Sequence, residues 1–188
     1  MLFVFRGIRA FQVLLAIIAL ATGVGAVLSL KAYVDGTPLP FLLVPLLLGL
    51  VFIWTFSAAL RAPTSFVAIS DTGMRIRFAG FVDVVVPLTN VAGARLARWS
   101  LVGGLGVRTA FRGEVALVSA WGEAVQVTFR QPVRIWVIPR LLPARATRLT
   151  LSLRNPAKLV ERLGPPASVE SRPAATNRKM KRRGPRTR

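Results

Sequence analysis

Ala10–Leu30 reads AFQVLLAIIALATGVGAVLSL, 21 residues without a charged side chain, and Phe41–Leu60 reads FLLVPLLLGLVFIWTFSAAL, 20 more. At roughly 1.5 Å per helical residue, each run reaches about 30 Å, the thickness of a bilayer's hydrocarbon core. Between them lies KAYVDGTPLP, whose Asp-Gly and two prolines suit a short turn. The expectation is an antiparallel pair of transmembrane helices at about 10–30 and 41–60, within a membrane unit of residues 1–62. A cleaved signal sequence also starts with basic residues such as Arg6 and Arg9, but its apolar core is typically about 7–15 residues long. The length of the first run favours an anchor. Pro45, one turn into the second run, is expected to kink that helix. Small residues four apart, Ala19/Gly23, Ala21/Gly25 and Gly25/Ser29, would let the helices approach closely.

Charge orients the pair. The chain carries a net +19 over 188 residues, although 53% of them are apolar. The balance is +3 over residues 1–61, +9 over 62–163 and +7 over 164–188. Arg6, Arg9, Arg61 and the whole basic remainder lie on one side of the two runs, while Lys31 and Asp35 cancel on the other. The positive-inside rule then puts both termini and residues 62–188 in the cytoplasm. The expected location is a plasma membrane, crossed twice. No ionisable residue interrupts either run, so nothing in them suggests a transport path.

After Pro63 the hydrophobic period falls to two. Met74, Ile76 and Phe78 alternate with Arg75 and Arg77; Val125, Val127 and Phe129 alternate with Gln126, Thr128 and Arg130. Leu149, Leu151 and Leu153 alternate with Arg148, Thr150, Ser152 and Arg154. Such alternation marks strands with one buried and one wet face. Turns are expected at Asp71-Thr72-Gly73, Ala79-Gly80, Trp121-Gly122-Glu123 and Gln131-Pro132. Asn155 through Gly164 reads as one short helix, with Asn155 as its N-cap, Pro156 at the first helical position and Leu159, Val160 and Leu163 as its apolar stripe. Residues 63–164 are therefore expected to form a mainly-β domain, a partly open barrel or sandwich closed by one C-terminal helix.

The run FVAISDTGMRIRFAGFVDVVVPLTNVAGARL (66–96) resembles the opening of bacterial PH-like domains, with a strand, a turn ending in Gly, an alternating strand and a Pro-Leu pair. GGLGVR at Gly103–Arg108 and SLRNPAKLVERL ending at Leu163 are similar to the same group. The resemblance covers residues 64–163. It departs at IWVIPRLLPARATRLTL (135–151), which carries extra proline and arginine where a compact turn would stand. It implies a PH-like fold after two membrane helices, and binding or scaffolding in place of catalysis. No ligand residues carry over from it.

The chemical inventory agrees. Histidine and cysteine are absent, which excludes disulfides, Cys/His zinc sites and nucleophiles paired with histidine. The β region has five carboxylates, Asp71, Asp83, Glu114, Glu123 and Glu161, each in an ordinary structural position. The glycines at 103, 104 and 106 lack a phosphate-loop spacing and read as a bend. No catalytic, cofactor or metal site is expected, and no small-molecule substrate.

What remains is arginine, 22 residues against four lysines. Arg75, Arg77, Arg130, Arg134, Arg148 and Arg154 stand on the polar sides of strands and form a candidate basic face, with a plain solvated surface as the alternative. Residues 165–188 lack apolar periodicity and are expected to be disordered. They end in Arg178, Lys179, Lys181, Arg182, Arg183, Arg186 and Arg188, seven cations in eleven residues. Tethering favours anionic lipid headgroups as their contact. The whole reads as a non-enzymatic membrane protein that binds or scaffolds a partner protein. Two other readings stand: a tether for nucleic acid or ribosome through the tail, salt-dependent because it lacks stacking aromatics, and an accessory subunit of a larger membrane complex.

Overall fold

A computed structural model describes residues 1–36, 38, 42–110, 113–138 and 142–165. The first element is one that the apolar runs conceal. Leu2–Val4 is a strand, β1, and it pairs antiparallel with β2 (Phe66–Ile69) in the register Leu2–Ala68, Phe3–Val67, Val4–Phe66. The helices α1 (Ile8–Val34) and α2 (Leu43–Arg61) lie between these two neighbouring strands in the chain. The helical pair is thus an insertion into a β-hairpin, and the first seven residues belong to the β structure, not to the helical unit.

Two sheets follow. β3 (Gly73–Phe78) and β4 (Val82–Pro87) complete an antiparallel sheet in the order β1-β2-β3-β4. The second contains β5 (Val91–Trp99), β6 (Gly106–Ala110), β7 (Glu114–Val118), β8 (Gly122–Ile138) and β9 (Leu142–Leu151), in the order β5-β8-β9-β7-β6. One pair in it, β7 with β9, is parallel. α3 (Pro156–Leu163) closes the domain with Leu159 fully buried. Asn155 is its N-cap residue but makes no side-chain capping bond; Pro156 at the first helical position needs no N–H partner. The layout of an apolar helix pair, β sheets and a closing helix agrees with the sequence.

The two sheets share one core. Phe5, Met74, Ile76, Phe78, Leu117, Leu149, Leu151 and Leu153 are fully buried. Phe78 sits at its centre, 4.9 Å from the ring of Phe5 and 5.6 Å from that of Phe11 on α1. The sheets are stitched by the N-terminal segment. Phe5 bridges Leu153, Arg6 N donates to Ser152 O at 2.8 Å, and Arg154 N donates to Val4 O at 3.0 Å. Ser119 Oγ donates to Arg6 O at 2.7 Å, and Ser152 Oγ accepts from Ser119 N at 2.8 Å. Gly7 then turns the chain into α1 at φ 66°. A β-carbon there would come 2.9 Å from that of Ala120, so the turn needs glycine for conformation and for space.

Two proline expectations are corrected. Gln131-Pro132 is not a turn: β8 runs through it, with a register shift between Thr128 and Val133. A bulge is where a strand tolerates a missing N–H. There Asn90 substitutes for a strand partner, its Oδ1 accepting from Gln131 N at 2.7 Å and its Nδ2 donating to Gln131 O at 3.1 Å. Beyond the bulge β8 lies against β4, joining the sheets on that side. Pro45, in turn, falls in the first turn of α2, where backbone N–H groups have no helical acceptor, so it breaks no hydrogen bond.

Both helices are long and apolar enough to cross a membrane, and most of their surface is uncovered by the rest of the chain. They pack through the Ala19/Gly23 pair: Ala19 is buried, and a β-carbon on Gly23 would stand 3.0 Å from the Phe52 ring. Gly49 faces open space. Replacing Gly23 with Leu should lower stability by about 1–3 kcal/mol through overpacking, whereas Gly49→Leu should be near neutral. Thermal unfolding of the two variants checks this, and equal midpoints would mean the helices do not need that close approach. Phe5→Ala should cost about 3–5 kcal/mol, read by denaturant unfolding. A loss below about 1 kcal/mol would show that the N-terminal strand does not close the core.

Candidate functional site

The register decides which loops meet the helices. β1 ends at Val4 opposite Phe66, beside the β3–β4 turn that closes Phe78 against Val82. In the other sheet Trp99 faces Gly122 and Gly106 faces Val118, so the β5–β6 loop and the β7–β8 turn lie at one end. That end is also where Phe5 meets Leu153 and Gly7 meets Ala120. The helix roots and three loops therefore share one rim of the β domain.

At this rim the joint is tight. Ala62, in a 3₁₀ turn directly after α2, is fully buried, and Ser65 Oγ donates to Ala62 O at 2.7 Å while accepting from Ala79 N at 2.8 Å. Ala79 and Gly80 both have positive φ, 46° and 73°, at the two central positions of the turn that Phe81 N closes on Phe78 O at 2.8 Å. The non-glycine Ala79 bears a cost of about 1 kcal/mol for that conformation, and the Ser65 hydroxyl holds it in place. The Phe81 ring meets Trp54 of α2 edge-on at 5.2 Å.

Beside this joint the helices and loops leave a groove of about 440 Å³. Phe11, Leu15 and Ile18 of α1, Trp54 of α2, and Leu105 and Trp121 from the loops give it an apolar lining. The Thr55 hydroxyl in its wall is already bonded within α2, to Val51 O at 2.7 Å. Its one charged lining residue is Arg108, exposed on β6 and packed over Gly104. Among the described residues Arg108 has no ion-pair partner. The volume falls within the roughly 300–1,000 Å³ of small-molecule sites. Sequence reasoning missed this place. Its signals were aromatic residues near the ends of apolar runs, Phe11, Trp54 and Trp121, which are equally ordinary in a core.

The arginines of the candidate basic face fall in different places. Arg75 and Arg77 lie on β3 in the first sheet; Arg130, Arg134 and Arg148 lie in the second, and Arg154 follows β9. Two are paired: Arg75 binds Asp83 through both oxygens, at 3.0 and 2.9 Å, and Arg148 reaches Glu114 at 2.8 Å. Arg77 is 4.0 Å from Asp83. Arg134 stacks on Trp136, 4.5 Å from the ring centre, and stands opposite Arg145 across β8–β9. Arg178, Lys179, Lys181, Arg182, Arg183, Arg186 and Arg188 lie outside the described residues. No group of three or more carboxylates that could hold a metal comes together among the described residues.

Comparison with protein-family models, with curated proteins and with solved structures finds no match to this chain.

The paired carboxylate carries a pH signature. Hydrogen bonds from Arg75 hold the Asp83 carboxyl below its ordinary range, against a smaller opposing effect of burial, and raise Arg75 itself. A depressed carboxyl contributes stability above its unfolded value, near 4, and loses it as pH falls through the folded one. With both side chains about half exposed, the contribution is small. Asp83→Asn should lower the unfolding midpoint slightly at pH 7, and the gap from the parent should close on acidification below pH 4. A gap that persists there would assign the loss to packing instead.

Proposed function

We propose that this chain is a non-enzymatic, two-span protein of the bacterial plasma membrane whose cytoplasmic β domain, PH-like in organisation, binds or scaffolds a partner protein at the inner face. The tail cations from Arg178 to Arg188 contact anionic lipid. The observation that carries the reading is the rigid joint. Both helices are rooted in the core at one rim, through Phe11 and Ala62, and only residues 5–7 and 62–65 separate them from β1 and β2. A domain mounted this way keeps one orientation to the leaflet and presents its opposite end to the cytoplasm, as a platform does and a tethered enzyme need not. That far end carries Arg134, Trp136 and Arg145, and an exposed aromatic beside arginines is the composition from which interface anchors are drawn.

Orientation is testable because the chain has no native cysteine. Asp35→Cys, beyond the outer end of α1, should react with an impermeant maleimide on intact cells. Ser70→Cys, at the far end of the barrel, should react only after permeabilisation. The reverse pattern would overturn the cytoplasmic assignment. Crosslinked co-purification from native membranes, with the full chain and with residues 165–188 removed, should recover the same protein partner in both. Nucleic acid recovered only with the tail, and no protein with either, would replace the scaffold reading by the tether.

A further inference from the structure

The junction groove combines three properties. Its floor and walls are apolar, one side continues the uncovered surface of the helices, and its rim carries a guanidinium with no carboxylate partner among the described residues. An apolar recess of this size does not hold ordered water, which needs two to four polar partners per molecule. Its occupant must be apolar along its length and anionic at one end.

The depth fits a lipid. α1 has 27 residues, about 40 Å, against a hydrocarbon core of about 30 Å. The uncharged run Ala10–Leu30 accounts for that core, and at its domain end Phe11 and Leu15 are buried by the rest of the chain. Trp54 stands seven residues before the end of α2 and Trp121 on a neighbouring loop, at the level where interfacial tryptophans sit. The β5–β6 loop presents Leu101 and Val102 at the same rim, exposed by 70% and 97%. Arg61 lines an adjoining recess with Trp54 and Phe81, and Arg6 and Arg98 line another with Glu123; among the described residues none of the three is ion-paired. Apolar tips beside free cations match the boundary between acyl chains and anionic headgroups.

We propose that the groove holds one anionic phospholipid of the adjoining leaflet, an acyl chain along Phe11, Leu15, Ile18 and Trp54 and the phosphate against Arg108. This rests on the membrane reading of the helices, and it is separate from any lipid contact of the tail.

The test uses the full chain, purified in a neutral detergent, stripped of lipid and titrated with phosphatidylglycerol, phosphatidylcholine or inorganic phosphate, with bound mass read on the intact protein. One phosphatidylglycerol should be retained, about tenfold more tightly than phosphatidylcholine, whose choline cation offsets the phosphate charge that Arg108 meets, and phosphate alone should neither bind nor compete. Arg108→Gln should abolish the preference between the two lipids. Ile18→Trp, filling the groove, should abolish retention of both, while Lys158→Gln, exposed on α3 and outside the groove, should match the parent. Thermal unfolding of each variant identifies any that misfolds, and Arg108, being exposed, is the variant least exposed to that failure. Equal retention of both lipids, a preference surviving Arg108→Gln, displacement by phosphate, or a lipid-free dimer covering the groove would each overturn the proposal. Alkaline carbonate extraction of the same cells tests the membrane reading by itself. Release into the soluble fraction would end that reading, whatever the detergent titration shows.

Discussion

The short strand Leu2–Val4 and the residues just after it hold both sheets at once. Its register with β2 satisfies one edge of the first sheet, and the Phe5–Leu153 bridge with the Arg6–Ser152 bond closes the same segment onto the second. Without it, the β2 edge and the end of β9 would lose their partners, and Phe78 would lose the ring of Phe5. Buried backbone groups left unpaired cost more than most side-chain contacts return. The two-sheet domain therefore depends on residues that precede the first helix.

Topology follows from that pairing. β1 and β2 are antiparallel neighbours, so a chain leaving the end of one must return to the start of the other at the same rim. Everything between them, α1 and α2, is forced into an up-and-down pair with adjacent roots. Lengthening a hairpin connection costs only about 0.6 kcal/mol per doubling, and packing of Phe52 on Gly23 along the helices offsets part of that. The Ser65 hydroxyl, shared between Ala62 and Ala79, then ties the root of α2 to the β3–β4 turn. The joint is a continuation of the core, not a linker.

Periodicity made the large elements readable. Two uncharged runs give two helices, and the alternation around Ile76, Val127 and Leu151 gives strands whose inward residues are fully buried. What escaped has a common cause: pairing over long sequence separation. The run LFVF is too short to separate from the basic start of an anchor, and its partner strand is more than sixty residues away. Pro132 reads locally as a turn, but in its bulge Asn90, 41 residues before Gln131, replaces a strand partner. Alternation likewise tells that Arg75 and Arg148 face outward, but not that they lie in different sheets or that Asp83 and Glu114 wait beside them. The groove was invisible for the same reason, since its lining comes from two helices and three loops.

These placements change the meaning of the positive charge. Along the strands, two carboxylates are committed to arginines, so the outer faces are less basic than their composition suggests. Arg6, Arg9 and Arg61 near the helix roots, Arg98 on β5 opposite Glu123, and Arg108 on β6 have no ion pair among the described residues. Unpaired cations cost little while they remain in water, and near an anionic leaflet each contributes about 1 kcal/mol of attraction. Five such residues at one rim outweigh a surface salt bridge several-fold. On the proposed membrane reading, these cations stand on residues that the fold holds in place, so attraction to an anionic leaflet does not require the tail.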